Sequence, residues 1–298
     1  MPSDQAAGAA ALRDIVLGPE RSARRLAFYC DVMEPDAGGP VAQGNLGPGG
    51  AEAEALAERV MAAFGQLEAA VVRRRLGALK VAAASRVRAA GLTVPGLRQG
   101  TGEVTVHKLE QGFAGFFAVE VAHLAFRRFD GTMSPVIRRE VFLSGDAVTV
   151  LPYDPRRNRV LVIEQMRMGP LGRGDPLPWQ LEAIAGRIDP GESPEDCARR
   201  EAVEEAGLDL GRLEKVGEYY PSPGAVSEYL YSYVAICDLP DAVVGVFGEA
   251  SEAEDIRGMI LSLDELMAAL ARGEITNAPL MLTALWLQRE APRLQCGV

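Results

Sequence analysis

The residues with the clearest chemical potential are carboxylates in the segment GRIDPGESPEDCARREAVEEAG, residues 186–207. Glu201, Glu204 and Glu205 would lie within an arc of about 100° on a helix, although like charges at such spacing repel each other. Three convergent carboxylates form a group of hard oxygen ligands that suits Mg²⁺ or Mn²⁺ together with a substrate phosphate. A solvated acidic helix face has the same spacing, so the glutamates alone leave both interpretations open.

Local signals predict that these carboxylates stand on a helix over residues 194–206. Ser193 suits the N-cap, Pro194 the first helical position and Gly207 the end of the helix. The small apolar residues should form a separate stripe that packs on a sheet, which would leave the carboxylates pointing away from the core. That stripe comprises Ala198, Ala202, Val203 and Ala206.

The surrounding sequence favours an α/β domain that would position this helix. Short β-branched or aromatic runs occur between residues 104 and 168, with DG and SGD turns among them. Strand-like sequence returns at 219–239, and helical sequence follows at 261–273 and 276–291. This alternation predicts a mixed sheet with helices packed on it.

The first 100 residues have a different composition and show no recognisable chemistry. Residues 51–90 predict two Ala-rich helices broken near Gly65, and the Gly/Pro-containing segment 91–103 predicts a linker. We therefore expect an N-terminal extension at 1–100 and a second region at 101–298. A basic cluster in the extension could meet an acidic surface or form a solvated helix face: Arg73, Arg74, Arg75, Lys80, Arg86 and Arg88.

The overall composition narrows the class of protein. The chain has 298 residues, 48% hydrophobic residues and a formal net charge of -10, which is typical of a soluble globular protein and excludes a broad nucleic-acid footprint. Four scattered cysteines and two histidines lack the spacing of a structural zinc site. With no signal peptide and no run long enough to span a bilayer, we expect a cytoplasmic protein without a membrane partner.

The longer pattern around the acidic helix resembles the Nudix box, GX5EX7REUXEEXGU. Its fixed positions are occupied by Gly186, Glu192, Arg200, Glu201, Glu204, Glu205, Gly207 and Leu208. The one departure is Ala202, where the pattern has a bulky aliphatic residue. The chain therefore resembles a Nudix hydrolase, a family that uses divalent metal to hydrolyse nucleoside diphosphates linked to another moiety. The resemblance implies a Nudix fold, a mixed sheet sandwiched by helices.

The flanking segments resemble the ADP-ribose pyrophosphatase subfamily over about residues 105–290. They include LVIEQMRMG and QLEAIAGRIDPGE before the box and YYPSPGAVSE after it. This resemblance implies hydrolysis of ADP-ribose to AMP and ribose 5-phosphate by a catalytic domain over 147–290. It also implies a homodimer formed through a strand-rich segment over 105–150. The extension, with FYCDVM at 28–33, is similar to that of Nudix proteins associated with tellurite resistance.

The resemblance further implies roles for single residues. The metal ligands would be Glu201 and Glu205, with Glu204 close by and the backbone carbonyl of Ala185, while Arg200 would orient Glu192. Glu252 and Glu254 would lie on a mobile loop, where one of them completes the metal site or acts as the base. A solvated acidic loop is the alternative for these two residues.

Substrate recognition would fall to residues before the box. Arg167 would contact a substrate phosphate, because its guanidinium offers a planar fork of donors, although a surface salt bridge is the alternative. Arg138, Arg139 and Glu140 would help to recognise the substrate. Phe116 and Phe117 would stack on adenine or pack in the core.

Two other functions remain open. The same flanks nearly permit a Nudix hydrolase of another nucleoside diphosphate sugar, such as GDP-mannose. A non-catalytic ADP-ribose sensor would keep the fold for binding, but such sensors often lose box glutamates, and here the box is complete.

Overall fold

A computed structural model describes residues 2–33, 46, 49–92, 96–98, 100, 102–114, 117–241, 245–248 and 255–296. The chain forms two compact units. The first comprises Met1–Gly145 with Ser222–Glu228, and the second comprises Asp146–Pro221 with Tyr229–Val298. The predicted boundary near residue 100 lies within the first unit, so the division into an extension and a catalytic region stays a prediction.

Helices make up the beginning of the first unit. They are α1 (Pro2–Leu17), α2 (Ala23–Met33), α3 (Ala51–Ala62), α4 (Ala69–Arg73) and α5 (Leu76–Ala90). The predicted break is present, since Gly65 between α3 and α4 has a φ of 78°. The second predicted helix is divided into α4 and α5 at Arg75. This side chain is buried and donates to Gln111 Oε1 at 2.8 Å, a long-range contact that local propensity does not reveal.

A three-stranded antiparallel sheet completes the first unit. Its strands, in spatial order, are β1 (Val104–Ala114), β2 (Ala118–Phe126) and β3 (Ile137–Leu143). Polar contacts connect the helices to this sheet, because Arg59 of α3 pairs with Glu120 of β2 at 3.1 Å and Arg75 reaches β1.

The second unit is built on a mixed sheet. Its strands are β4 (Asp146–Asp154), β5 (Arg159–Met166), β6 (Trp179–Glu182), β7 (Ile184–Arg187), β8 (Arg212–Tyr219), β9 (Tyr229–Ile236), β10 (Val246–Phe247) and β11 (Ile256–Ser262). The main path runs β10-β11-β5-β4-β9-β8, while β6 pairs with β5 and β7 pairs with β4. The pair β4–β9 is parallel and the remaining pairs are antiparallel.

Helices cover both faces of this sheet. The short helix α6 (Met168–Arg173) has no buried residue, and the covering helices are α7 (Pro194–Ala206), α8 (Leu263–Ala271) and α9 (Ala278–Gln295). Successive residues of a strand point to opposite faces. Val148 and Val150 of β4 accordingly pack with α7, whereas Leu151 and Tyr153 pack with α8 and α9. The predicted α/β class, with a mixed sheet sandwiched by helices, is confirmed.

No helix in the described part of the chain is long and apolar enough to cross a membrane.

Candidate active site on helix α7

Helix α7 begins and ends where its sequence predicts. Ser193 Oγ accepts from the backbone N–H of Asp196 at 3.1 Å, and Pro194 is the first helical residue. Gly207 ends the helix in the left-handed conformation, with a φ of 60°. These local signals need no tertiary contact, which is why the sequence predicts both ends.

The buried stripe of α7 is narrower than predicted. Ala198, Ala202 and Ala206 are buried, but Val203 is 54% exposed. At about 100° per residue, Ala202 is at the centre of the buried stripe and Val203 is about 100° away from that centre. The prediction that Val203 packs on the sheet is therefore wrong.

The carboxylates of α7 do not all point away from the core. Glu205 is buried at 3% exposure, the Glu201 side chain is 12% exposed and the Glu204 side chain is 45% exposed. The order follows helical geometry, since these residues lie about 60°, 100° and 160° from Ala202. The expectation of three outward carboxylates is corrected to a graded series from core to solvent.

Strand β7 brings its backbone against two of these carboxylates. Glu205 Oε2 accepts from the backbone N–H of Ala185 at 3.1 Å. Glu201 lies over Gly186 so closely that a Cβ there would be 1.7 Å from Glu201 Oε1. Glycine at position 186 is therefore required for the approach of helix to strand.

Arg200 joins the loop before α7 to the helix. Its Nε donates to Glu192 Oε1 at 2.9 Å, and its Nη1 donates to Glu201 Oε1 at 2.6 Å and Glu204 Oε2 at 2.9 Å. The pKa of Arg200 is raised, above all by the hydrogen bond to Glu192. Burial opposes ionisation of Glu192, but hydrogen bonds from Arg200 and from the backbone of Asp189 prevail and lower its pKa. The Arg200–Glu192 contact expected from the resemblance is present in this geometry.

The donor set of this site fits a hard divalent cation. Glu201 and Glu205 place carboxylate oxygens beside the backbone of Ala185 and Gly186. Among the residues that the structure describes, no group of three or more Asp, Glu, His or Cys side chains has an arrangement ready to hold a metal ion. Arg200 brings a positive charge to three carboxylates, those of Glu192, Glu201 and Glu204.

Arg167 lies immediately after β5 and is held by a buried carboxylate. Its Nε donates to Glu182 Oε2 at 2.9 Å, and its Nη2 forms an ion pair with the same oxygen at 2.7 Å. The Glu182 side chain is 8% exposed, whereas that of Arg167 is 40% exposed. Glu182 was not predicted from the sequence. The sequence did contain one signal of its burial, since Glu182 directly precedes the apolar residues Ala183 and Ile184.

The remaining candidates of the described chain belong to the first unit, whereas Arg167 and α7 belong to the second. Arg138, Arg139 and Glu140 are exposed on β3, and Arg138 pairs with Glu140. Phe117 is 38% exposed, and its ring centroid is 4.8 Å from that of Phe142. The other three candidates lie outside the described residues: Phe116, Glu252 and Glu254.

Comparison with known proteins gives consistent matches. The NUDIX domain family matches residues 143–283. An ADP-ribose pyrophosphatase of Escherichia coli (strain K12) is 40% identical over 189 residues, which is 63% of this chain and 90% of that protein. An ADP-ribose pyrophosphatase of Haemophilus influenzae is 33% identical over 185 residues, which is 61% of this chain and 85% of that protein. A GDP-mannose pyrophosphatase of Enterobacter sp. (strain 638) is 32% identical over 151 residues, which is 51% of this chain and 78% of that protein.

Proposed function

The chain belongs to the Nudix family, and we propose that it hydrolyses the diphosphate linkage of ADP-ribose to AMP and ribose 5-phosphate. The observation that carries this proposal is the convergence of Glu201 and Glu205 on the backbone of β7, with Arg200 bridging the helix and its preceding loop. The names of the similar proteins support ADP-ribose as the substrate. The chain is more similar to the ADP-ribose pyrophosphatases above than to the GDP-mannose pyrophosphatase, in both identity and extent.

The reaction depends on a divalent cation, for which we propose Mg²⁺ or Mn²⁺. Glu201, Glu205 and the backbone carbonyl of Ala185 would hold it, with Glu204 at the exposed rim. When bound, the cation neutralises the diphosphate and lowers the pKa of a water. Arg200 keeps Glu192 and Glu201 in place, a supporting role of the kind that metal ligands require.

The other residues act on the substrate and the water. Arg167 binds a diphosphate oxygen through its exposed guanidinium. Glu252 or Glu254 takes the proton of the water, whose oxygen attacks one phosphorus while the bridging oxygen leaves with the other. Arg138, Arg139 and Glu140 contribute to recognition, as do Phe116 and Phe117 through stacking on adenine.

We also propose a homodimer that forms through residues 105–150. Several apolar residues of the first sheet are exposed, among them Val104, Val106, Leu109 and Phe126. The register pairs Val104 with Phe126 and Val106 with Leu124, so these side chains share one face. An exposed apolar face of this kind is typical of a protein–protein interface.

Light scattering tests the dimer. Val106→Glu should shift the protein toward monomer, whereas Thr105→Glu, on the opposite face of β1, should not. A wild-type protein that is monomeric at micromolar concentration and fully active would remove this part of the proposal.

A substrate panel tests the activity. Rates with Mg²⁺ and with Mn²⁺ should be compared for ADP-ribose, GDP-mannose, NADH, coenzyme A and dinucleoside polyphosphates, with product analysis and an EDTA control. We expect the highest kcat/KM for ADP-ribose. A higher kcat/KM for GDP-mannose would favour the second candidate, which the GDP-mannose pyrophosphatase relatives support. Binding of ADP-ribose without turnover would favour a sensor. A cytoplasmic location and the role of residues 1–100 stay predictions.

A further inference from the structure

Asn277 connects the start of α9 to the carboxylate that holds Arg167. Its Oδ1 accepts from the backbone N–H of Leu280 at 2.9 Å and so caps the helix. Its Nδ2 donates to Glu182 Oε1 at 2.9 Å. One side chain therefore contributes both to a helix end and to the support of Arg167.

The two oxygens of Glu182 have different partners. Oε1 accepts from Asn277, whereas Oε2 accepts from Nε of Arg167 and forms an ion pair with its Nη2. Gln165 Nε2 lies 3.5 Å from Oε2. Because the Glu182 side chain is only 8% exposed, its charge depends on these donors more than on water.

This division of partners fixes the orientation of the guanidinium. The Asn277 amide holds Oε1, and Nε of Arg167 donates to Oε2. Without that amide, the Glu182 carboxylate loses a contact that fixes its rotation about the Cγ–Cδ bond. A rotated carboxylate would move Oε2, and the guanidinium of Arg167 that is bound to Oε2 would be redirected with it.

We propose that Asn277 is a positioning residue for substrate binding, which acts through Glu182 on the orientation of Arg167 toward a diphosphate oxygen. The inference rests on the proposed function, since it requires that Arg167 binds the substrate. Because the diphosphate is bound in the ground state and in the transition state alike, the loss should appear mainly in KM.

Two substitutions separate the capping role from the positioning role. Asn277→Asp keeps an oxygen that caps α9 but places an acceptor against Glu182. Asn277→Ser also keeps a capping oxygen and simply lacks the amide donor. Asp and Ser both cap helices well, so neither change removes the cap itself.

Steady-state kinetics with ADP-ribose test the inference. A hydrogen bond to a charged group is worth roughly tenfold in binding, so Asn277→Asp should raise KM about tenfold and Asn277→Ser about threefold, with kcat within about threefold of wild type. Ser262→Ala is the matched control. It removes the cap of α8 and should lower the melting temperature without a change in KM.

A double-mutant cycle identifies the route of the effect. In an Arg167→Ala background, Asn277→Asp should raise KM no further. An equal rise with and without Arg167 would overturn the inference, as would an unchanged KM in both Asn277 variants. Failure of the proposed function is recognisable separately, because the wild type would then not hydrolyse ADP-ribose, or Arg167→Ala would keep the wild-type KM.

Discussion

Two carboxylate–arginine clusters of the second unit differ in how their negative charge is balanced. Asp154, at the end of β4, is 1% exposed. Its Oδ1 accepts from the backbone N–H groups of Arg156 and Arg157 at 3.0 Å and 3.2 Å, and its Oδ2 accepts from Arg157 Nη1 at 2.6 Å and from the backbone of Leu239 at 3.3 Å. Burial opposes ionisation, but these hydrogen bonds prevail and lower the pKa of Asp154.

The negative charge of the cluster on α7 is balanced differently. Glu192, Glu201 and Glu204 all contact the one guanidinium of Arg200, and Glu205 is buried nearby against the backbone of β7. A buried carboxylate that is matched by several donors, like that of Asp154, stabilises the fold. Under the proposed function, the α7 group, in which Glu192, Glu201 and Glu204 contact the same arginine, would instead accommodate a bound cation.

The largest expected effect comes from removing a carboxylate of the α7 cluster. Glu201→Gln and Glu205→Gln should each lower kcat by several orders of magnitude, because under the proposed function each change removes a charged metal ligand. The melting temperature in EDTA should stay within about 3 °C of wild type, since relief of like-charge repulsion offsets lost hydrogen bonds.

The control for this prediction is on the same helix. Glu195 accepts from Tyr233 Oη at 2.9 Å, and Glu195→Gln should keep wild-type turnover. Near wild-type turnover in folded Glu201→Gln or Glu205→Gln would show that the α7 cluster, like the Asp154 cluster, only stabilises the fold.

A smaller effect should follow from a change in the strand that faces α7. Gly186→Ala would place Cβ 1.7 Å from Glu201 Oε1, so the Glu201 side chain must move. We expect kcat to fall by about 10²-fold, because misplacement of a reacting group by about 1 Å has effects of this size. Gly217→Ala on β8 is the matched control, since a Cβ there meets no atom within 4 Å. Equal activity of the two variants would contradict the close packing of Glu201 on β7.

The sequence predicts the local part of this site better than its long-range part. Ser193 and Gly207 determine the ends of α7 through contacts within a few residues, and both ends were predicted. The burial of Glu205 depends on which helix face meets the sheet, and the spacing of the glutamates does not reveal that choice. Asn277 donates to Glu182 across 95 residues, so no local pattern indicates their contact.

The same distinction applies to the fold. Strands β4 and β5 coincide with apolar runs of the sequence, which predict them. The mixed sheet was predicted from the alternation of strands and helices. The separation of α4 from α5 was not predicted. There the buried Arg75 contacts Gln111, and propensity carries no information about such a partner.

The smallest effect on activity is expected at the Asp154 cluster. Asp154→Asn should leave kcat/KM unchanged and lower stability at pH 7 by roughly 1–3 kcal/mol, because donors are left poorly satisfied. Since the pKa of Asp154 is lowered in the folded protein, its stabilisation is present above the ordinary value of 3.8 and is lost as pH falls through the lower folded value. The difference in melting temperature between variant and wild type should therefore narrow below about pH 4. A melting-temperature difference that is constant from pH 7 to pH 3 would contradict the lowered pKa of Asp154 in the folded protein.

Binding of Mn²⁺ in the absence of substrate tests the central claim most directly, and it can be followed by electron paramagnetic resonance of the free ion. The wild type and Glu195→Gln should bind Mn²⁺ with similar affinity. Glu201→Gln and Glu205→Gln should bind it at least about tenfold more weakly, because each lacks a charged oxygen ligand. Equal Mn²⁺ affinity in all four proteins would contradict the account, since the carboxylates of α7 would then serve only as partners of Arg200.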